Sequence, residues 1–178
     1  MTMPVALHLV PLAGFSGLMA TAAFEDLRRL VIPNRLVLGL FLLWPFHVAI
    51  APTPSLAAAG GAALCAAAVF AAGALLFARG LVGGGDVKLL AAATLWAGPG
   101  ATPALLVVTG LLGGLLCLLL LTPMGVLIAA ARPPLLDAAG AAPPGAEALP
   151  GATPVLVPYG VAIAAAALIV TIPPNFTW

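Results

Sequence analysis

Charged residues are scarce in this sequence. Lys, Arg, Asp and Glu together make up 6% of the 178 residues, whereas a soluble domain has about 25%. The net charge at pH 7 is only +1, which argues against nucleic acid as a partner. The two cysteines, Cys65 and Cys117, lie in separate apolar runs and form no C-x-x-C pair. We therefore expect small apolar packing roles for them, no zinc site and no cofactor.

Apolar residues account for 63% of the chain and give it a mean hydropathy of +1.24. Because a bilayer span needs about 20 mostly apolar residues, this length allows about six spans and no sizeable soluble domain. We predict an all-α polytopic membrane protein, a single membrane-embedded domain over residues 1–178 in contact with lipid. The stretch 132–154 is rich in Pro, Ala and Gly, and we expect a mobile cytoplasmic loop there. The predicted spans are residues 4–24, 36–50, 55–78, 87–98, 104–131 and 155–172.

The positive charges predict how these spans are oriented. With six spans, every connection that carries Lys or Arg falls on one side, and the positive-inside rule makes that side cytoplasmic. Both termini are then expected outside. The first span contains Ala20-Thr21-Ala22, which looks like a signal-peptide cleavage site, but no Lys or Arg precedes Arg28, so we expect a retained span. The positively charged residues of the chain are Arg28, Arg29, Arg35, Arg79, Lys88 and Arg132.

Two aspartates fall at predicted helix ends on this same side. Asp26 follows the first span, and Asp86 follows three glycines before the fourth. Ionisable groups at the edge of hydrocarbon are costly and therefore functional candidates. Two adjacent carboxyl groups share a proton, so one takes a proton from water while the other donates to a substrate carbonyl. This pattern predicts amide hydrolysis. In the alternative interpretation, Asp26 pairs with Arg28 or Arg29 on a solvated flank, and Asp86 merely begins a helix.

Three blocks of the chain resemble the type IV prepilin peptidases. Asp26–Asn34 resembles their first block, Gly83–Leu89 matches their G-x-G-D motif with its following Lys, and Pro158–Ala162 resembles their P-Y-G-x-A block. The resemblance implies a six-helix GxGD aspartic endopeptidase of the bacterial inner membrane, with Asp26 and Asp86 as the catalytic pair. Its substrate would be the leader peptide of a prepilin or pilin-like protein, cut at the cytoplasmic face. The apolar helix after the leader would lie among the spans.

Within that family the chain resembles the short TadV/CpaA-like branch, which serves Flp-type tight-adherence pili. The larger bifunctional members carry a cytoplasmic insertion with two C-x-x-C pairs and also N-methylate the new terminus. This chain has neither feature, so we expect peptidase activity without methylation. The archaeal preflagellin peptidases share the aspartate pair and are the alternative on substrate.

Residues beside the aspartates are assigned supporting roles. We expect Gly83 and Gly85 to keep the wall next to Asp86 bare, so that an extended peptide docks against backbone. Lys88 would contact acidic substrate groups or adjust the proton affinity of the pair. Its alternative role is a positive anchor at the cytoplasmic face.

Four more positions complete the expected site. Pro33 and Asn34 would fix the start of the second helix, with Asn34 bonding nearby backbone. Tyr159 would donate a hydrogen bond near the site or simply mark the membrane interface. Gly160 belongs to the third block.

Two other functions are consistent with parts of the sequence. Gly14-Phe15-Ser16-Gly17 spells G-x-S-G, which is similar to the motif of the rhomboid serine peptidases, and His47 is its candidate partner. In Gly-rich helices the same pattern also arises from packing. A small proton- or cation-coupled transporter would explain paired carboxylates, although transporters usually bind their ions near the bilayer midplane.

Overall fold

The computed structural model describes residues 5–50, 55–122 and 157–172. All regular secondary structure in these ranges is helical, so the all-α prediction is confirmed for the described residues. The loop predicted at 132–154 lies outside them. The helices are α1 (Val5–Arg29), α2 (Asn34–Ala49), α3 (Leu56–Ala78), α4 (Gly84–Leu120) and α5 (Tyr159–Thr171).

Helix α1 is longer than the predicted first span, which ended at Phe24. The helix continues to Arg29, so the first polar stretch begins inside it. Two basic residues in its last turn, Arg28 and Arg29, favour this extension because cations stabilise a helix C-terminus. The helix stops where Leu30 takes a left-handed conformation (φ 53°) and donates its N–H to the carbonyl of Asp26 at 2.9 Å.

Helix α4 contains the break that the sequence predicted between two spans. Gly98 has φ 69° and ψ 176°, and Pro99 begins the next helical segment. The predicted gap of several residues is therefore reduced to one non-helical glycine. The second segment ends at Leu120, earlier than the predicted end at Ala131.

The chain reverses direction at this glycine. A straight helix would hold Asp86 and Gly113 about 40 Å apart. Yet Asp86 lines a cavity together with Tyr159, and Gly113 packs directly against the Tyr159 ring. The segments 84–97 and 99–120 therefore run back past each other, and both reach the same end of the molecule.

An aromatic cluster joins three helices in the core. The buried Trp96 of α4 stacks on Phe15 of α1 with ring centroids 4.6 Å apart. Its indole N–H donates to the carbonyl of Leu40 in α2 at 3.0 Å, so its one polar atom is satisfied inside the core. Around this cluster α4 packs on α2, α3 and α5, while α1 packs on α2 and α5.

Two of the described helices, α3 and α4, are long and apolar enough to cross a membrane, with peak mean hydropathies of 2.2 and 2.4. Large apolar side chains also point away from the core, including Leu64 at 72% and Leu111 at 68% exposed. Outward-facing leucines of this kind suit contact with lipid. The count of six spans stays a prediction.

Because the chain reverses at Gly98, we expect a side chain at this position to destabilise the fold. We expect Gly98→Ala to lower the free energy of unfolding by about 1–3 kcal/mol, because its backbone conformation is nearly exclusive to glycine. Circular dichroism during unfolding in detergent micelles measures this. Gly100→Ala is the matched control, since a Cβ there meets nothing within 4 Å, and it should be neutral or slightly stabilising. Equal effects of the two substitutions would show that the reversal does not require glycine.

Candidate active site

Both candidate aspartates line one cavity of about 950 Å³. Asp26 lies in the last turn of α1, and Asp86 lies in the first turn of α4. The two carboxyl groups are close enough for the charge of Asp26 to act on Asp86. The fold thus brings together two acids that are far apart in the sequence, at the end of the bundle where α1 finishes and α4 starts.

Asp26 is buried, with 5% of its surface exposed. Its Oδ2 accepts a hydrogen bond from the backbone N–H of Gly160 at 2.7 Å. Gly160 lies in the first turn of α5, where backbone N–H groups have no partner within the helix and the dipole favours an anion. A carboxylate on a solvated flank, the alternative interpretation of Asp26, would be exposed instead. Helix α5 therefore presents its N-terminus to a buried acid on α1.

The absence of a side chain at Gly160 is a geometric requirement. A Cβ at this position would lie 2.8 Å from Oδ2 of Asp26 and 2.8 Å from Cδ1 of Ile32, closer than carbon atoms normally approach. The sequence indicated Gly160 only as part of the P-Y-G-x-A block. It did not reveal that the backbone N–H of Gly160 contacts Asp26.

The arginines next to Asp26 have other neighbours. Arg29 pairs with Glu25 at 3.4 Å across one helical turn. The guanidinium of Arg28 lies over the ring of Phe24, 5.0 Å from its centroid. These contacts hold both arginine side chains on the outside of α1.

Asp86 is fixed by the start of its own helix. Gly83 is the N-cap residue of α4, and the Asp86 carboxyl group lies directly beside it. A Cβ on Gly83 would lie 2.8 Å from Oδ2 of Asp86, and a Cβ on Gly85 would lie 3.2 Å from the Cβ of Ile32. The immediate surroundings of both glycines are therefore protein atoms. Docking of a peptide against them stays a prediction.

Lys88 and Asn34 connect two helix starts at the rim of the cavity. The Lys88 ammonium donates to the side-chain oxygen of Asn34 at 3.1 Å, and both residues line the cavity. Asn34 thus uses its side chain across helices, where the sequence suggested a bond to nearby backbone. Pro33 is the N-cap residue of α2, and Asn34 is the first helical residue.

Tyr159 forms part of the cavity wall beside α4. Its hydroxyl lies 3.5 Å from the carbonyl oxygen of Thr109, and its ring packs on Gly113.

The sequence did not reveal Leu30, whose left-handed backbone lies at the cavity wall between Asp26 and α2. Nothing in the local sequence marks this leucine, since glycine is the usual residue in that conformation.

The residues of the serine-type alternative have local contacts. Ser16 donates its hydroxyl to the carbonyl of Leu12 in its own helix at 2.7 Å. The His47 ring stacks on Trp96 with centroids 5.0 Å apart. Within the described parts of the chain, no group of three or more His, Cys, Asp or Glu residues is arranged to hold a metal ion.

Comparison with known proteins gives one match. The model of the type IV leader peptidase family matches residues 13–118, a range that contains Asp26, Asp86 and the glycines before Asp86. No curated protein and no solved structure gives a match. The matched range covers more than half of the chain, so the resemblance read from the motifs is confirmed at the level of the family. The chain belongs to the type IV leader peptidase family.

Proposed function

We propose that this protein is a membrane aspartic endopeptidase that removes the leader peptide from a prepilin or pilin-like protein, with Asp26 and Asp86 as its catalytic pair. One observation carries the proposal. In a member of the type IV leader peptidase family, two acids from separate helices line the same cavity. Asp26 also accepts the backbone N–H of Gly160 at the start of α5, and Asp86 lies in the first turn of α4.

The proposed reaction uses the two carboxyl groups as a proton-sharing pair. Neighbouring carboxyl groups do not both ionise cheaply, so one is ionised while the other keeps its proton. The ionised group removes a proton from water as the water oxygen attacks the scissile carbonyl carbon, and the protonated group donates to the carbonyl oxygen. The tetrahedral intermediate collapses when a proton passes to the amide nitrogen and the C–N bond breaks. Asp26 and Asp86 end the cycle with one proton between them.

The orientation follows from charge. Five positive residues lie at the ends of helices beside the cavity: in the last turn of α1, at the start of α2, at the C-cap of α3 and in the first turn of α4. The positive-inside rule supports a cytoplasmic location for this end. We infer a multi-pass protein of the bacterial inner membrane, a single domain with about six spans and both termini outside. The five positive residues at this end are Arg28, Arg29, Arg35, Arg79 and Lys88.

The finer assignment rests on sequence features. The lack of C-x-x-C pairs supports a short, Flp-type leader peptidase without N-methylation. The position of both aspartates at helix ends favours peptide cleavage at the membrane surface over a transporter, whose ion site usually lies near the midplane. No contact of Ser16 favours a serine-type mechanism.

Removal of either carboxyl group tests the catalytic pair. We expect Asp26→Asn and Asp86→Asn each to reduce cleavage of a synthetic prepilin at least about 100-fold, the usual contribution of a general acid or base. Single-turnover cleavage by purified protein in detergent measures this. Glu25→Gln is the matched control, because it removes a neighbouring carboxylate from a partly exposed ion pair and should leave the rate within about twofold. A variant that keeps the wild-type rate would remove that aspartate from the mechanism.

Gly160 offers a second test that leaves both acids in place. We expect Gly160→Ala to reduce kcat about 10- to 100-fold, because the methyl group displaces the Asp26 carboxylate from its N–H donor and a hydrogen bond to a charged group contributes about 1.5–3 kcal/mol. The same cleavage assay measures the loss, and circular dichroism checks that the variant is folded. Gly114→Ala adds the same methyl group where it meets nothing within 4 Å and should retain wild-type kcat. Full activity of the Gly160 variant would show that this hydrogen bond is dispensable.

A further inference from the structure

The cavity that contains the aspartates extends along α3 as an apolar slot. Its α3 wall is a single helical stripe that recurs every three to four residues, which places its members on one face. From Val69 to Phe77 this stripe is about 12 Å long, less than half the thickness of the hydrocarbon core. The stripe consists of Val69, Gly73, Leu76 and Phe77, and Gly80 lines the cavity just beyond the end of α3.

The opposite wall of the slot comes from two other helices. Leu90 extends it along α4, and Ile163 extends it along α5, one turn beyond Tyr159. Polarity changes along the slot. Asp26, Asp86 and Lys88, its ionisable residues apart from Tyr159, belong to the end where α4 begins, whereas Val69 lies deeper, on the part of α3 that is more than two helical turns from that end.

The slot is open on one side. Among the described helices, α3 packs extensively against α4 alone. Within the part of the chain that the structure describes, no comparable packing joins α3 to α5 or to α1, so the slot separates the α3 stripe from the wall formed by α4 and α5. At the margin, 39% of Leu76 and 47% of Phe77 are exposed. In a bilayer such an opening faces lipid, since the outer surface of α3 is apolar as well.

We propose that this slot binds the apolar segment that follows the scissile bond of the substrate, and that the segment enters sideways from the bilayer between α3 and α5. The inference rests on the proposed function. A peptide whose scissile bond is held at Asp26 and Asp86 continues into the cavity, and the extension that the described residues line along α3 is apolar. A substrate segment that is itself embedded in lipid reaches the aspartates without leaving the hydrocarbon. The change from polar to apolar lining thus matches a peptide that is polar at the cleavage site and apolar after it.

Photo-crosslinking tests the location of this segment. A benzophenone amino acid replaces Val69 inside the slot or, as the matched control, Leu75, which is 63% exposed on α3 and does not line the slot. The protein carries Asp86→Asn so that a synthetic substrate with leader and apolar segment is retained. We expect crosslinks to the apolar segment from position 69 at several times the yield from position 75. Equal yields, or crosslinks from position 69 to residues 123–156 of the same chain or to a second copy, would overturn the proposal.

Kinetics with two peptides separates this inference from the proposed function. One peptide contains the leader and the full apolar segment, and the other ends a few residues after the scissile bond. We expect Val69→Trp to lower the ratio of kcat/KM for the long peptide to that for the short peptide about tenfold, while Leu75→Trp leaves the ratio unchanged. An unchanged ratio with Val69→Trp overturns the slot alone, because both peptides are still cleaved. Failure of the wild-type protein to cleave either peptide overturns the proposed function and the slot with it.

Discussion

A single hydrogen bond connects the two ends of the described chain at the site. The N–H of Gly160 reaches Oδ2 of Asp26 at 2.7 Å, where the packed helices α1 and α5 meet at the cavity. Burying a carboxyl group is costly unless hydrogen bonds compensate, so the position of Asp26 depends on the helix start that faces it. The cavity, with Asp86 on its other side, depends on the same approach, because Tyr159 and Ile163 of α5 form one of its walls.

The other half of the site depends on how α4 begins and folds back. Gly83 leaves room for the Asp86 carboxyl group at the start of the helix, and Gly85 lets that start lie against Ile32. The reversal at Gly98 then returns the second segment of α4 to Tyr159. The first segment of α4 therefore supplies the second acid, Asp86, and the second segment supports Tyr159 in the wall of the cavity.

The sequence predicted those features that depend on local backbone chemistry or on strong composition. The break at Gly98-Pro99 and the helical class were predictable, because a glycine followed by proline interrupts a helix and long apolar runs favour one. The nearness of Asp26 and Asp86 followed from charge placement and motif resemblance together. The extension of α1 to Arg29 was missed, because charged residues at the end of an apolar run resemble a connection although they suit a helix C-terminus.

Contacts between distant segments were beyond prediction from one sequence. Lys88 pairs with Asn34, and Gly160 offers its backbone to Asp26, but neither residue type implies its partner. The left-handed Leu30 has no signal in the sequence, because glycine is the usual residue in that conformation.

The stacked rings around Trp96 make one part of the bundle stiff. Helices α1 and α2 are both fastened to α4 there, through Phe15 and through the Leu40 carbonyl, whereas α3, among the described helices, packs mainly along α4. Interlocked aromatic cores resist deformation. The acids therefore lie on the helices that these rings hold together, and α3 forms a separate wall of the cavity beside them.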